Sequence, residues 1–198
     1  MRGRRTGSAL AVAAATATVM VAGGGTAAAG PPTDHRPTRV VEDAAIGSFS
    51  TPGGDVTVFL SLFDVPGDEE IGGVEVFGTT PSGDRYECFE GPQIGAGLDG
   101  LRGARAAGST TLVCGGPELP PGVVAEVDVD VTWEPYGRVG TSVVTLPDPP
   151  CVSRTRQRAA DVSGLVTVRI PALGVTATLT EGFGDVRTIT SICRPPRT

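Results

Sequence analysis

The sequence predicts an all-β protein: an antiparallel β-sandwich or barrel of about ten short strands, cross-linked by disulfides. Three observations lead there. Short runs rich in Val and Thr recur along the chain, cut apart by turn-forming residues, with 29 Gly and 17 Pro among 198 residues. Val and Thr fit the pleated sheet, and Gly and Pro supply the turns. No window sustains an apolar period of 3.6 with helix caps. Four cysteines, an even number, all lie downstream of residue 87, which suits a disulfide framework.

The elements follow in order. Residues 1–29 have a charged head (Arg2, Arg4, Arg5), an apolar run from about Ala9 to Ala22 and small residues up to "AAAG". That pattern predicts a secretory signal peptide cut after Ala29. The apolar run is too short and too rich in Ala and Gly to span a bilayer comfortably, so no membrane insertion is expected after cleavage. Residues 30–44, "GPPTDHRPTRVVEDA", read as a flexible Pro-rich leader, and residues 45–198 as a single β domain. Within it the predicted strands are 46–50, 55–63, 72–80, 84–90, 109–114, 122–133, 140–146, 164–170, 174–180 and 186–193. The turns are "TPGGD", "VPGDEE", "TPSGD", "PELPPG", "LPDPP" and "EGFGD".

Composition excludes several functions. The chain carries −6, and loss of the signal removes three Arg and no acid, leaving −9. With no basic cluster, it is not expected to bind nucleic acid. The sequence has no Lys and no Asn, and its one His is His35, in the leader. A Ser–His–Asp triad has no base inside the domain. Oxidised cysteines supply neither a thiol nucleophile nor a zinc ligand. No cofactor, metal site or catalytic residue is therefore assigned.

The cysteines are Cys88, Cys114, Cys151 and Cys193. Alternation places Cys88 on the face of Tyr86 and Cys114 on the face of Leu112, both inward. The expected pairs are Cys88–Cys114 and Cys151–Cys193, the second tying down the C-terminal region.

The run "VDVDVTW" followed downstream by "RAADVSG", with "VTVFLSLFD" as an earlier strand, resembles secreted all-β proteins of high-GC Gram-positive bacteria that have no established activity. The resemblance implies export and a compact β fold, and it brings no catalytic residue.

Four features have the residue types of a site. "GAGLDG" (95–100) matches G-x-G-x-x-G, but the motif has meaning only between a strand and a helix, and it reads here as a flexible loop. "DVPGDEE" gathers Asp64, Asp68, Glu69 and Glu70. Such oxygen ligands suit calcium, yet the spacing is not that of an EF-hand, and a solvated turn is the plainer reading. "EVDVD" resembles the E-x-D-x-E strand of β-sandwich glucanases, which would make Glu126 and Asp130 the working acids of a carboxylate-based glycan hydrolase. Against this, the chain is 5% aromatic with one Trp, and alternation puts Trp133 on the face opposite the acids. The plainer expectation is a strand with Glu126, Asp128 and Asp130 in water and Val127, Val129, Val131 and Trp133 in the core. Finally, "PDPPCVSRTRQR" places Arg154, Arg156 and Arg158 two apart, matching the acids' spacing. This segment is expected to lie beside the acidic strand, or to act as a Cys-anchored protease-inhibitor loop. The favoured reading is a secreted, non-catalytic binding or structural module whose partner is an extracellular protein or wall polymer.

Overall fold

The computed structural model describes residues 37–64, 70–89, 91–147 and 150–193. The segment expected to be a signal peptide, residues 1–29, and residues 30–36, with His35 among them, lie outside these residues. The strands are β1 (Thr38–Ser50), β2 (Val56–Phe63), β3 (Ile71–Thr79), β4 (Arg85–Phe89), β5 (Ile94–Leu98), β6 (Ala104–Gly115), β7 (Val124–Pro135), β8 (Gly140–Pro147), β9 (Pro150–Ile170) and β10 (Val175–Cys193). Among the described residues two one-turn 3-10 helices interrupt them, Gly100–Arg102 and Pro171–Leu173.

All pairings are antiparallel. They run β10-β1-β2-β3-β4-β6-β7-β9, and β9 pairs again with β10. The hydrogen-bonded ring therefore closes, and the molecule is a barrel. Closure removes the open edges that an isolated sheet would present. The position between β3 and β6 is shared: β4 fills one end and β5 the other.

Alternation sets the core. Val56, Val58, Leu60 and Leu62 of β2 point inward, as do Val127, Val129, Val131 and Trp133 of β7 and Val166, Val168 and Ile170 of β9. Trp133 crosses the interior to β1, where its indole N–H donates to the Ile46 carbonyl at 2.9 Å. The room for that ring comes from Gly47, where a Cβ would come within 2.9 Å of the indole Cζ2.

Three expectations about the elements need correction. The leader was expected to run to residue 44, but β1 already begins at Thr38, because Thr38–Asp43 find a continuous partner in residues 188–193 of β10. "EGFGD" is not a turn: β10 runs through it with a bulge between Leu179 and Glu181. Its glycines serve close approach, since a Cβ on Gly182 or Gly184 would strike the carbonyl oxygens of Ser48 or Ile46 in β1. "GAGLDG" is not a loop either. Its first four residues belong to β5, and Asp99 leads into the first 3-10 turn.

β9 and β10 are long, 21 and 19 residues, and this gives the fold its second part. Residues 160–169 of β9 pair with β7 in the barrel wall. Residues 150–157 pair instead with β8. At the same level β1 has left β2, whose pairing starts only at Ala44. The result is a four-stranded arm, ordered β8, β9 (150–157), β10 (187–193) and β1 (38–43), extending beyond the ring.

Both expected disulfides are present, and no described cysteine is free. Each joins residues that already face each other across a strand pair, Cys88 with Cys114 and Cys151 with Cys193. The first lies in the core and the second staples the arm. They close sequence separations of 26 and 42 residues, worth about 3.5 and about 4 kcal/mol in the chain-entropy account.

Candidate functional site

The acidic stripe lies where alternation places it. Glu126 and Asp130 are exposed and Asp128 half-buried, all on the outer wall of β7. Asp128 accepts a hydrogen bond from the Ser109 hydroxyl at 2.6 Å and pairs with Arg169 at 3.3 Å. Its flanking neighbours are Ser109 on β6 and Thr167 on β9, while Ala107 and Leu165 flank Asp130. No aromatic residue is among the cross-strand partners of these acids, and neither Glu126 nor Asp130 lines a cavity described below. The segments "VDVDVTW" and "RAADVSG" are in contact: Val131 faces Gly164 and Trp133 faces Val162 across β7 and β9.

The arginine segment was expected beside this stripe, and it is not. The cation opposite the acids is Arg169, facing Glu126. Arg154 and Arg156 lie in the arm, facing Val143 and Thr141 of β8 on one side and Thr190 and Thr188 of β10 on the other. β7 has already ended by this level, its last partner being Ala160. Arg158 turns back to the barrel end, donating to the carbonyls of Leu101 at 3.4 Å and Pro135 at 3.2 Å.

The acidic turn is only partly described. Asp68 and Glu69 lie outside the described residues. Glu70 accepts a hydrogen bond from the Leu98 amide at 3.0 Å, which ties β5 to the start of β3. Among the described residues no group of acids, His or Cys is arranged to hold a metal ion.

Two shallow cavities occupy the barrel end away from the arm. One, about 220 Å³, is lined by Thr80, Ser82, Asp84, Glu118 and the 171–173 turn region; the other, about 620 Å³, by Thr51, Asp55, Thr79 and residues 174–178. The Ser82 hydroxyl, 2.6 Å from the Asp84 carboxylate, holds that carboxyl below the ordinary aspartate range, and the side chain of Glu118 adds to the effect. The same carboxylate receives the Thr80 hydroxyl, while the Asp84 amide donates to Thr80 Oγ1 at 3.0 Å. These bonds close the β3–β4 turn, so Asp84 is accounted for as a turn staple. Beneath the cavities, the Tyr86 hydroxyl is buried without a partner, and burial, helped by the charge of Asp55, pushes its pKa up to about 12.

The arm presents a different chemistry. Directly paired residues share a face, so Val41, Val143, Val152 and Ile192 lie together with Arg39, Arg154 and Arg156. All seven are exposed. The one carboxylate on that face, Asp43, accepts the Thr188 hydroxyl at 2.6 Å. The opposite face carries Val144 and Leu146 beside the Cys151–Cys193 bond. Every residue of β8 is exposed, with Val143 and Val144 each at 56%. Sequence reasoning missed this surface because β8 looks like any other Val/Thr strand, while the first half of β9, "PCVSRTRQRAA", reads as an Arg-bearing segment after a Pro-rich turn. The missing signal was length: strands that outrun the barrel have no interior to face.

Comparison with protein-family models, with curated proteins and with solved structures gives no match to this chain.

Proposed function

We propose that this is an exported, non-catalytic binding module that engages an extracellular protein or wall polymer through its four-stranded arm. One observation carries the reading: four large apolar residues, Val41, Val143, Val152 and Ile192, are exposed on one face of the arm, with Val152 directly facing Ile192 and the other two diagonal to that pair. Scattered exposed apolar residues are ordinary, but neighbouring ones gathered on one sheet face mark an interaction surface. Export is supported by the leading sequence pattern and by two disulfides, which persist in oxidising compartments. The bacterial resemblance points the same way.

The two catalytic or inhibitory alternatives draw less support. A glycan hydrolase using Glu126 and Asp130 would work from a barrel wall whose neighbours are Ala, Ser, Thr, Leu and Arg, with no aromatic platform among them. An inhibitor loop around Arg154 would need a backbone free to pair with a protease. Val152–Arg154 are paired on both sides, with β8 and β10.

The test compares the mature exported protein with a Val152→Glu/Ile192→Glu variant. Both changes lie on the arm and outside the core, so far-UV circular dichroism should be unchanged. Retention on wall fractions, or chemical cross-linking to a secreted protein, should be lost in the variant. Equal retention by both proteins overturns the arm as the docking surface. N-terminal sequencing of the secreted protein should begin at or within a few residues of Gly30; a retained Met1 overturns the signal peptide.

A further inference from the structure

We infer that the partner is a polypeptide whose extended, acidic segment adds to the arm as a further strand along β8. This rests on the arm as docking surface and commits to polypeptide over polymer.

The first ground is the edge. β8 pairs with β9 and with nothing else among the described residues. One whole edge of its backbone donors and acceptors faces away from the sheet. Natural edge strands are protected by charges, bulges or inward-pointing ions. β8, "GTSVVTLP", has no charged residue, and Pro comes only at its last position. Four of its eight residues, Thr141, Val143, Val144 and Thr145, are β-branched, the types that suit strand pairing. Such an edge is a template for β-augmentation, in which backbone hydrogen bonds provide affinity and alternate side chains provide specificity.

The second ground is charge. One strand in from this edge, Arg154 faces Val143 and Arg156 faces Thr141. No carboxylate among the described residues pairs with either. A strand laid along β8 would place every second side chain on this face. Across a single intervening strand of Val and Thr, long Arg side chains reach toward it. On the other face the added strand meets Val144 and Leu146. The complementary segment therefore alternates acidic and apolar residues over about five to seven positions, the length β8 supports. A second copy of this chain would instead bring its own Arg154 and Arg156 near the first pair, and like charges oppose that.

The experiment uses the mature protein and a nonapeptide of alternating Val and Asp as probe. Controls are an alternating Val/Arg peptide, the Val/Asp peptide N-methylated at every second residue, and inorganic polyphosphate. Hydrogen exchange locates the site and calorimetry gives the affinity at low salt. The Val/Asp peptide should bind and slow exchange in residues 140–147. Arg154→Gln/Arg156→Gln should weaken it about threefold or more, as loss of two exposed pairs predicts, and added salt should do the same. The Val/Arg and N-methylated peptides should bind at least tenfold more weakly. No binding at millimolar peptide overturns the inference, as does protection that avoids β8. Equal binding of the N-methylated peptide, or full competition by polyphosphate, means the arm holds anions and does not pair strands. Protection of β8 that appears without peptide and rises with protein concentration means a second copy occupies the edge. If Val152→Glu/Ile192→Glu abolishes partner retention while β8 ignores the peptide, the arm remains the docking surface and only strand addition fails.

Discussion

The seat of the Trp133 indole on Gly47 offers a discriminating test of how the barrel is built. Gly47 lies in β1 against the indole of Trp133, and a Cβ there would sit 2.9, 3.3 and 3.4 Å from Cζ2, Cε2 and Nε1. Carbon atoms pack comfortably at about 3.5–4.0 Å, so Gly47→Ala forces the ring to move by several tenths of an ångström. The ring resists, because Trp133 is 2% exposed and its N–H is anchored on Ile46, the neighbour of Gly47. Overpacking of this kind costs about 1–3 kcal/mol. Ala suits a strand better than Gly by about 0.5–1 kcal/mol, which offsets part of it. The expected net loss is about 1–2 kcal/mol, or about 2–8 °C in melting temperature for a chain of this size. Trp133→Phe withdraws the atoms that clash and costs about 1–3 kcal/mol itself, by leaving the Ile46 carbonyl without its donor and a small void. In that background Gly47→Ala should cost less than about 0.5 kcal/mol or turn favourable, giving a coupling of about 0.5 kcal/mol or more. Urea denaturation of all four proteins, followed by far-UV circular dichroism because the only Trp is altered, measures the cycle. Equal cost of Gly47→Ala in both backgrounds, or a stabilising effect in the parent, would refute the claim that this glycine exists to seat the indole.

Three further outcomes are expected. Tyr86 has a folded pKa near 12, above the ordinary value of 10; a raised pKa means its contribution is fully present below pH 10 and is lost as pH climbs toward 12, because there the unfolded chain releases a proton that the fold retains. About 2–3 kcal/mol of stability should disappear over that window, and Tyr86→Phe should abolish this part of the alkaline loss while leaving stability at pH 7 equal or higher; identical pH–stability curves for the two proteins count against it. On β7, Glu126→Gln/Asp128→Asn/Asp130→Asn should change stability by no more than about 1 kcal/mol, as expected for exposed pairs, whereas Val129→Asp should prevent folding; thermal melts showing the reverse order would mean the strand is out of register. Cys151→Ser/Cys193→Ser should lose at most about 4 kcal/mol and raise hydrogen exchange in residues 140–157 and 187–193, with Val162–Ile170 staying protected; uniform loss of protection would show that arm and barrel unfold as one.

The sequence disclosed those parts of the fold where a period of two meets a buried face. β7 was legible to within two residues because Val127, Val129, Val131 and Trp133 have a core to fill and Glu126 and Asp130 do not. The disulfide pairing was legible for the same reason: Cys88 and Cys114 share the inward phase of Tyr86 and Leu112. β5 was hidden because Gly95 and Gly97 imitate a loop, and only pairing with β3 and β6 makes "IGAGL" a strand. β10 was split in two because Gly182 and Gly184 serve a neighbouring backbone, a tertiary reason that no local pattern displays. The arm was invisible for a related cause. Nothing in "GTSVVTL" says whether the sheet beside it has a second layer, and Arg154 and Arg156 match the acids of β7 in spacing while pairing with a different strand.

The partner exchange along β9 has a mechanical consequence. The backbone that forms the arm's interior is the same uninterrupted backbone that forms the barrel wall, and β10 runs alongside it with continuous register on either side of one bulge. A pull on the arm along its strands is therefore carried into the barrel as shear, with many hydrogen bonds loaded at once. Peeling, which breaks them singly, would have to begin at the tip, and there Cys151 is bonded to Cys193. A handle of this kind withstands tension along its length and yields more readily to a sideways tug on β8, whose pairing with β9 is its only attachment among the described residues.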